Sequence, residues 1–237
     1  MIDLDAIRSN YHHLRSHLPE ECVFHAVLKS DAYGHGIIEV SNALIDAGCQ
    51  HFAVGDLLEA IQIRKQGIKG EILLLNPIPS WAADTAVFND LSVLIMHPSI
   101  LQPLDDACEA MNKTCKVHLK VNVGLNRLGI APSKLIKIAK EAISKPHLRL
   151  EGLYAQPRDP ASAREGFEKI KAIYERMQSE GIAPRRLHFA NSTTFLSHPD
   201  TVAGGSAFGN TDLWCAPTRA IFRRLAHSGK ASNEITQ

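Results

Sequence analysis

Three short stretches carry the residues best suited to chemistry. The first is AVLKSDAYGHG, Ala26–Gly36, where an apolar run from Phe24 to Leu28 ends on Lys29. An acid, a tyrosine and two glycines around His35 follow at once. An amine at the end of a buried strand faces a partly desolvated mouth, and in its neutral form it can attack an aldehyde and hold a Schiff base. The same lysine could instead pack its stem and reach water with its head. Tyr33–Gly36 could bend closely around a ligand or form an ordinary turn between strand and helix. The second stretch is HLKVNVGLNRLGI, His118–Ile130. Strand alternation sends Lys120, Asn122 and Gly124 to one face and Leu119, Val121 and Val123 to the other, with Arg127 on the loop beyond. An inward lysine is costly unless paired, so Lys120 requires an acidic group or a bound anion, or else faces outward between helices. The third is HFANS, His188–Ser192. Its polar turn could bind an anion such as phosphate, or Asn191 or Ser192 could cap a helix.

These residues need a scaffold, and the chain alternates in a way that supplies one. Leu4–Leu18 reads as an amphipathic helix, with Leu4, Ile7, Tyr11, Leu14 and Leu18 three and four apart. Short runs rich in Val, Ile and Leu come next, at Phe24–Leu28, His51–Val54, Glu71–Leu75, Leu91–Met96, Val117–Val123, Leu148–Tyr154 and Leu187–Ala190. Helical patterns separate them at Ile37–Ala47, Leu57–Lys65, Ile100–Met111, Ser133–Ser144 and Ala163–Ser179, with glycine and proline at the joints. Apolar strands alternating with helices predict an α/β fold with a parallel sheet covered by helices. Seven such units before residue 195, without the GxGxxG loop of a doubly wound sheet, favour a (β/α)8 TIM-type barrel. In such a barrel the C-terminal strand ends carry the chemistry, and Lys29, Arg127, Gln156, Asn191 and Ser192 all fall at or just past them.

Composition narrows the function. Of 237 residues, 45% are apolar and 22% charged, which is ordinary globular usage. A net charge of +1 gives no reason to expect a nucleic-acid partner. Five widely spaced cysteines without a CxxC predict reduced thiols and no zinc site, and the twelve histidines are scattered. No metal is expected. MIDLDAIRSN does not read as a signal peptide, and no apolar run approaches the ~20 residues of a membrane helix. The expected location is the cytoplasm. P-loop, HExxH and GxSxG patterns do not occur.

Taken together, the three stretches resemble the alanine racemase family. AVLKSDAYGHG is similar to that family's cofactor-lysine signature and HLKVNVGLNRLGI to its arginine motif. MIDLDAIRSN, HFAVGDLLEAIQIRKQGI, EGLY and HFANS match in order and spacing, so that the resemblance covers roughly residues 1–200. It implies a barrel that binds pyridoxal 5′-phosphate through an internal aldimine on Lys29 and interconverts L- and D-alanine, which serves cell-wall synthesis. It further implies that freed Lys29 moves the α-proton on one face. Tyr33 and Ser192 would contact the phosphate, with Asn191 lining the same pocket. Arg127 would bond the cofactor's phenolic oxygen, with Lys120, carbamylated in some members, positioning it. Members are homodimers, built head to tail through a second domain.

The sequence also departs from the family. Racemisation there takes its second base from a tyrosine of the partner subunit's C-terminal β-domain, a domain that this sequence is not expected to contain. Tyr11, Tyr33, Tyr154 and Tyr174 all lie in the barrel region. Gln156, in YAQPR, stands where the family usually has a histidine, and VAGG, Val202–Gly205, replaces the segment with the arginine that faces the ring nitrogen. GSAFGN, Gly205–Asn210, resembles a blurred version of the next strand, so completeness of the eighth strand is left open. The expected division is a barrel over 1–210 and a divergent, irregular or disordered tail over 211–237. A truncated or frameshifted racemase with impaired turnover is one expectation. The alternative is a non-catalytic, homeostasis-type pyridoxal-phosphate-binding barrel protein.

Overall fold

The computed structural model describes residues 2–198, 201 and 210–215. Eight strands form a closed parallel barrel in chain order: β1 (Val23–Val27), β2 (His51–Val54), β3 (Glu71–Leu74), β4 (Ser92–Ile95), β5 (Cys115–Gly124), β6 (Leu148–Gln156), β7 (Arg186–Asn191) and β8 (Asn210–Cys215). Seven of them coincide with the apolar runs of the sequence. β8 closes the ring by pairing with β7 on one side and β1 on the other. It straddles the boundary drawn at residue 210. The rest of the expected tail, 216–237, lies outside the described residues, as does 202–209 with VAGG and most of GSAFGN.

Helices cover the outside: α1 (Leu4–Ser16), α2 (Lys29–Gly34), α3 (Ile37–Asp46), α4 (Leu57–Lys65), α5 (Ala83–Phe88), α6 (Leu101–Met111), α7 (Pro132–Ile143), α8 (Ala163–Ser179) and α9 (Ser192–Ser197). Their starts reflect local chemistry. Asp3 caps α1 by accepting from the backbone N–H of Asp5 and Ala6, each at 3.0 Å. Asp56 caps α4 in the same way, and Pro132 opens α7 where no N–H is needed. α5 escapes the sequence reading because six residues are too few to show a helical period.

Strand alternation divides the buried residues into two sets. Phe24, Phe52, Ile72, Val93, Leu119, Leu153 and Leu187 face the helices and form one continuous core with them. The inward set is layered along the barrel axis. Val27, Ala53, Leu73, Leu94 and Tyr154 make an apolar layer towards the C-terminal mouth. Beneath it lie His25, His51, His118 and His188, and at the N-terminal end Glu71 and Ser92. Four of the twelve histidines that look scattered in the sequence are therefore neighbours in space.

The lumen network centres on Glu71. Glu71 accepts from Arg186 at 2.8 Å and from Ser92 at 2.8 Å, and His118 Nε2 lies 3.2 Å from it. His118 Nδ1 in turn lies 2.9 Å from His188 Nε2. Burial pushes the Glu71 carboxyl up, but its interactions with His118 and His51 outweigh this and hold it far below the usual carboxylate range. Gly152 of β6 is dictated by this pair: a Cβ there would sit 2.4 Å from both His118 Nδ1 and His188 Nε2.

Candidate functional site

Lys29 lies just past the end of β1 and stands at the C-terminal mouth, half-buried. The turn after it is left-handed. Ser30, Asp31, Ala32 and Tyr33 have φ between 51° and 58°, so the bend begins three residues before the Tyr33–Gly36 segment to which the sequence reading confined it. None of the four is glycine. Left-handed backbone costs L-residues roughly 1–2 kcal/mol each, so the surroundings must hold the turn in place.

Two carboxylates do so. Asp31 Oδ1 accepts from the Ile37 N–H at 2.7 Å and so closes the loop onto the start of α3. Glu59, in the first turn of α4, accepts from the Asp31 N–H at 3.1 Å and from the Gly55 N–H at 2.7 Å. The Ala32 N–H also reaches the Leu28 carbonyl at 2.8 Å. Neither Asp31 nor Glu59 was a candidate from sequence. The signal for Glu59 was the Asp56-x-x-Glu59 capping pattern, which reads as a helix start and not as a clamp on a neighbouring loop. The turn places the Tyr33 ring 5.8 Å from Lys29 Nζ, partly exposed at the mouth.

Lys120 faces inward on β5, which decides between the two orientations open from sequence. It is 6% exposed and its Nζ lies 5.1 Å over the Tyr154 ring. Among the described residues no carboxylate pairs with it. Burial first, and then the charges of Arg127 and Lys29, push its ammonium down to about 8. Arg127 is brought there by a loop that folds back on its own strand. Ile130 N–H donates to the Lys120 carbonyl at 2.7 Å, and Asn122 N–H to the Ile130 carbonyl at 2.8 Å. The loop leaves β5 at Gly124, where φ is 86° and a Cβ would meet the Gln156 carbonyl at 2.5 Å. Lys120, Arg127 and Gln156 thus line one small cleft. Gln156 Oε1 also accepts from the Tyr154 hydroxyl at 3.4 Å, and burial pushes that phenol up.

Asn191 and Ser192 lie at the end of β7 and the start of α9. Asn191 acts as the helix cap, accepting from the Thr194 N–H at 2.9 Å, which is one of its two sequence readings. Ser192 is buried at the first helical position. The barrel therefore gathers Lys29, Tyr33, Lys120, Arg127 and Gln156 at its mouth, with Asn191 and Ser192 at another strand end of the same face. No group of histidines, cysteines or carboxylates suited to a metal ion occurs among the described residues.

Fold and site define a (β/α)8 barrel with a lysine-centred cationic mouth. Residues 2–208 match the family model described as "Alanine racemase, N-terminal domain", and the chain belongs to that family. It is 35% identical over 205 residues to alanine racemase 2 of Clostridium acetobutylicum, covering 84% of this chain and 52% of that protein. It is 31% identical over 205 residues to alanine racemase 1 of Oceanobacillus iheyensis, covering 84% and 54%. The chain spans about half the length of the curated relatives it matches. Among solved structures, alanine racemase from D-cycloserine-producing Streptomyces lavendulae superposes with a TM-score of 0.78 at 28% identity, over 90% of this chain and 56% of that one. A Clostridium difficile alanine racemase in complex with cycloserine has a TM-score of 0.80 at 22% identity, covering 90% and 58%, which speaks to the fold.

Proposed function

We propose that this chain is the cofactor-binding barrel of a pyridoxal-phosphate-dependent amino-acid racemase whose substrate is alanine. The observation that carries this reading is the cluster of Lys29, Lys120 and Arg127, three cations with mutual influence and no ion pair among the described residues. A mouth so built favours an anion, and pyridoxal phosphate offers both phosphate and phenolate oxygens together with an aldehyde that a lysine amine can bond. The donor set fits that group.

When bound, pyridoxal phosphate supplies the electron sink that makes an amino acid's α-hydrogen acidic. Lys29 Nζ would hold the aldehyde and, once displaced by substrate, take and return a proton on its own face. Arg127 would donate to the phenolic oxygen, and Lys120 beside it would keep positive charge near that oxygen. Tyr33 and Ser192 would donate to the phosphate, and Asn191 holds the turn that presents Ser192. Gln156 and Tyr154 wall the pocket and exclude water. A proton must also move on the opposite face, and no residue of the described barrel is assigned that task. A partner supplying it would complete the reaction, as in a homodimer. No helix among the described residues is long and apolar enough to cross a membrane.

The test is borohydride reduction of the chain with pyridoxal phosphate, then mass analysis of the Lys29 peptide and exchange of alanine's α-proton in deuterated water. An adduct on Lys29 with measurable exchange supports the proposal. An adduct with no exchange would support the non-catalytic, homeostasis-type alternative, and no adduct would overturn the site assignment.

A further inference from the structure

The opposite end of the barrel holds a second concentration of positive charge. The starts of β3 to β6 surround an open basin of about 200 Å³, with Arg64, Lys69, Glu71, Asp90, Lys116 and Arg149 on its walls. These are four cations and two carboxylates, and both carboxylates are already engaged. Glu71 is held by Arg186 at 2.8 Å, and Asp90 by Lys113 at 2.8 Å. Arg64 is engaged as well: its guanidinium donates to the carbonyls of Ile68, Gly70, Asn89 and Asp90, and so fixes the rim.

That leaves Lys69, Lys116 and Arg149. Lys69 and Arg149 have no hydrogen bond or ion pair among the described residues, and Lys116 reaches only Glu71, at 3.9 Å. The three come from different segments, the residue pair before β3 and the first residues of β5 and β6, yet they converge on one concavity. Convergent charge from separate elements differs from a solvated charged face, because closure of the barrel fixes the spacing of the backbone positions that carry it. The guanidinium offers two parallel donors to a planar or tetrahedral oxyanion, and the lysines add point charges.

We propose that this basin is an anion site for a small molecule bearing two or more negative charges on phosphate or carboxylate oxygens. Its volume admits inorganic phosphate or a small di- or tricarboxylate. The site lies at the far end of the lumen from Lys29 and does not depend on what the mouth binds.

The test monitors backbone amide NMR shifts of the full chain during separate titrations with inorganic phosphate and citrate, against sodium chloride at matched ionic strength. The expected result is saturable shifts at Lys69, Gly70, Ser92, Lys116 and Arg149 with one or both anions, the tighter of the two identifying the oxyanion preferred. The double variant Lys69→Ala/Arg149→Ala, at two exposed positions, is expected to weaken that binding about tenfold or more. Ser192→Ala is expected to leave it unchanged, which separates it from phosphate held at the mouth. Shifts confined to the Tyr33 and Ser192 region, or basin shifts that chloride reproduces, would overturn the proposal.

Discussion

The two ends of this barrel's lumen hold similar numbers of ionisable side chains and treat them in opposite ways. At the N-terminal end Glu71 is surrounded by Arg186, Ser92, His118 and His51, and each contributes to holding the carboxylate charged. At the C-terminal mouth Lys29, Lys120 and Arg127 crowd together, and no carboxylate among the described residues forms an ion pair with them. At one end the lumen interior is a network centred on the Glu71 carboxylate, and the basin cations Lys69 and Arg149 lie outside it on the rim. The other keeps an excess of positive charge that the described residues do not neutralise. Charges satisfied from within stabilise the fold, and charges left over are available to a ligand.

Substitutions at each end should therefore have different signatures. The largest expected effect is at the mouth: Lys29→Ala is expected to abolish the borohydride-stable pyridoxal phosphate adduct, read by mass, while leaving the melting temperature near that of the parent. At the closed end, Glu71→Gln is expected to destabilise the chain by about 3–5 kcal/mol in urea unfolding, because it removes the negative charge that Arg186 and the histidines share and sets an NH2 donor against them. Gly152→Ala should cost about 3 kcal/mol or more in the same measurement. Its methyl group overlaps both imidazoles and breaks the His118–His188 contact. A small loss for either would mean that the lumen network is not a structural unit.

Lys120 sharpens the contrast because its removal should help the fold. Lys120→Met is expected to stabilise the cofactor-free chain by about 1–3 kcal/mol at pH 7 while weakening pyridoxal phosphate binding. The smallest effect is in pH. Lys120 has its pKa lowered from 10.5 to about 8 on folding, so between these values the unfolded chain binds more protons and stability rises with pH. The difference in melting temperature between the parent and Lys120→Met should shrink across that window. Glu71 has a dependence of the same sign in a more acidic window: its stabilising contribution is present above the ordinary carboxylate pKa and declines as pH falls below it. A difference independent of pH would show that the Lys120 ammonium is not destabilised by its surroundings.

Much of the scaffold is legible along the chain. Seven strands and most helices can be read from apolar runs and three-four spacing, since the faces that meet in the core must be apolar wherever they fall. Lys29, Lys120 and Arg127 stand out because a cation beside a buried strand is costly and calls for an explanation. Asp31 and Glu59 do not stand out, since acids near a helix start are common and only their long-range partners reveal a clamp. α5 is too short to show a period, and the start of β8 lies in sequence that carries no strand alternation.

By itself the sequence determined the alternation of strand and helix, the lysine at a strand end and the family to which these motifs belong. Each rests on local spacing or on residue types that neighbours in the chain make conspicuous. Tertiary structure alone decided which way Lys120 points, how Ser30–Tyr33 are held left-handed, and that His25, His51, His118 and His188 share a lumen with Glu71. It also decided which charges are paired. The physical reason is the same in each case: ion pairs and hydrogen bonds depend on distances of a few ångströms between residues far apart in sequence, and closing the barrel sets those distances.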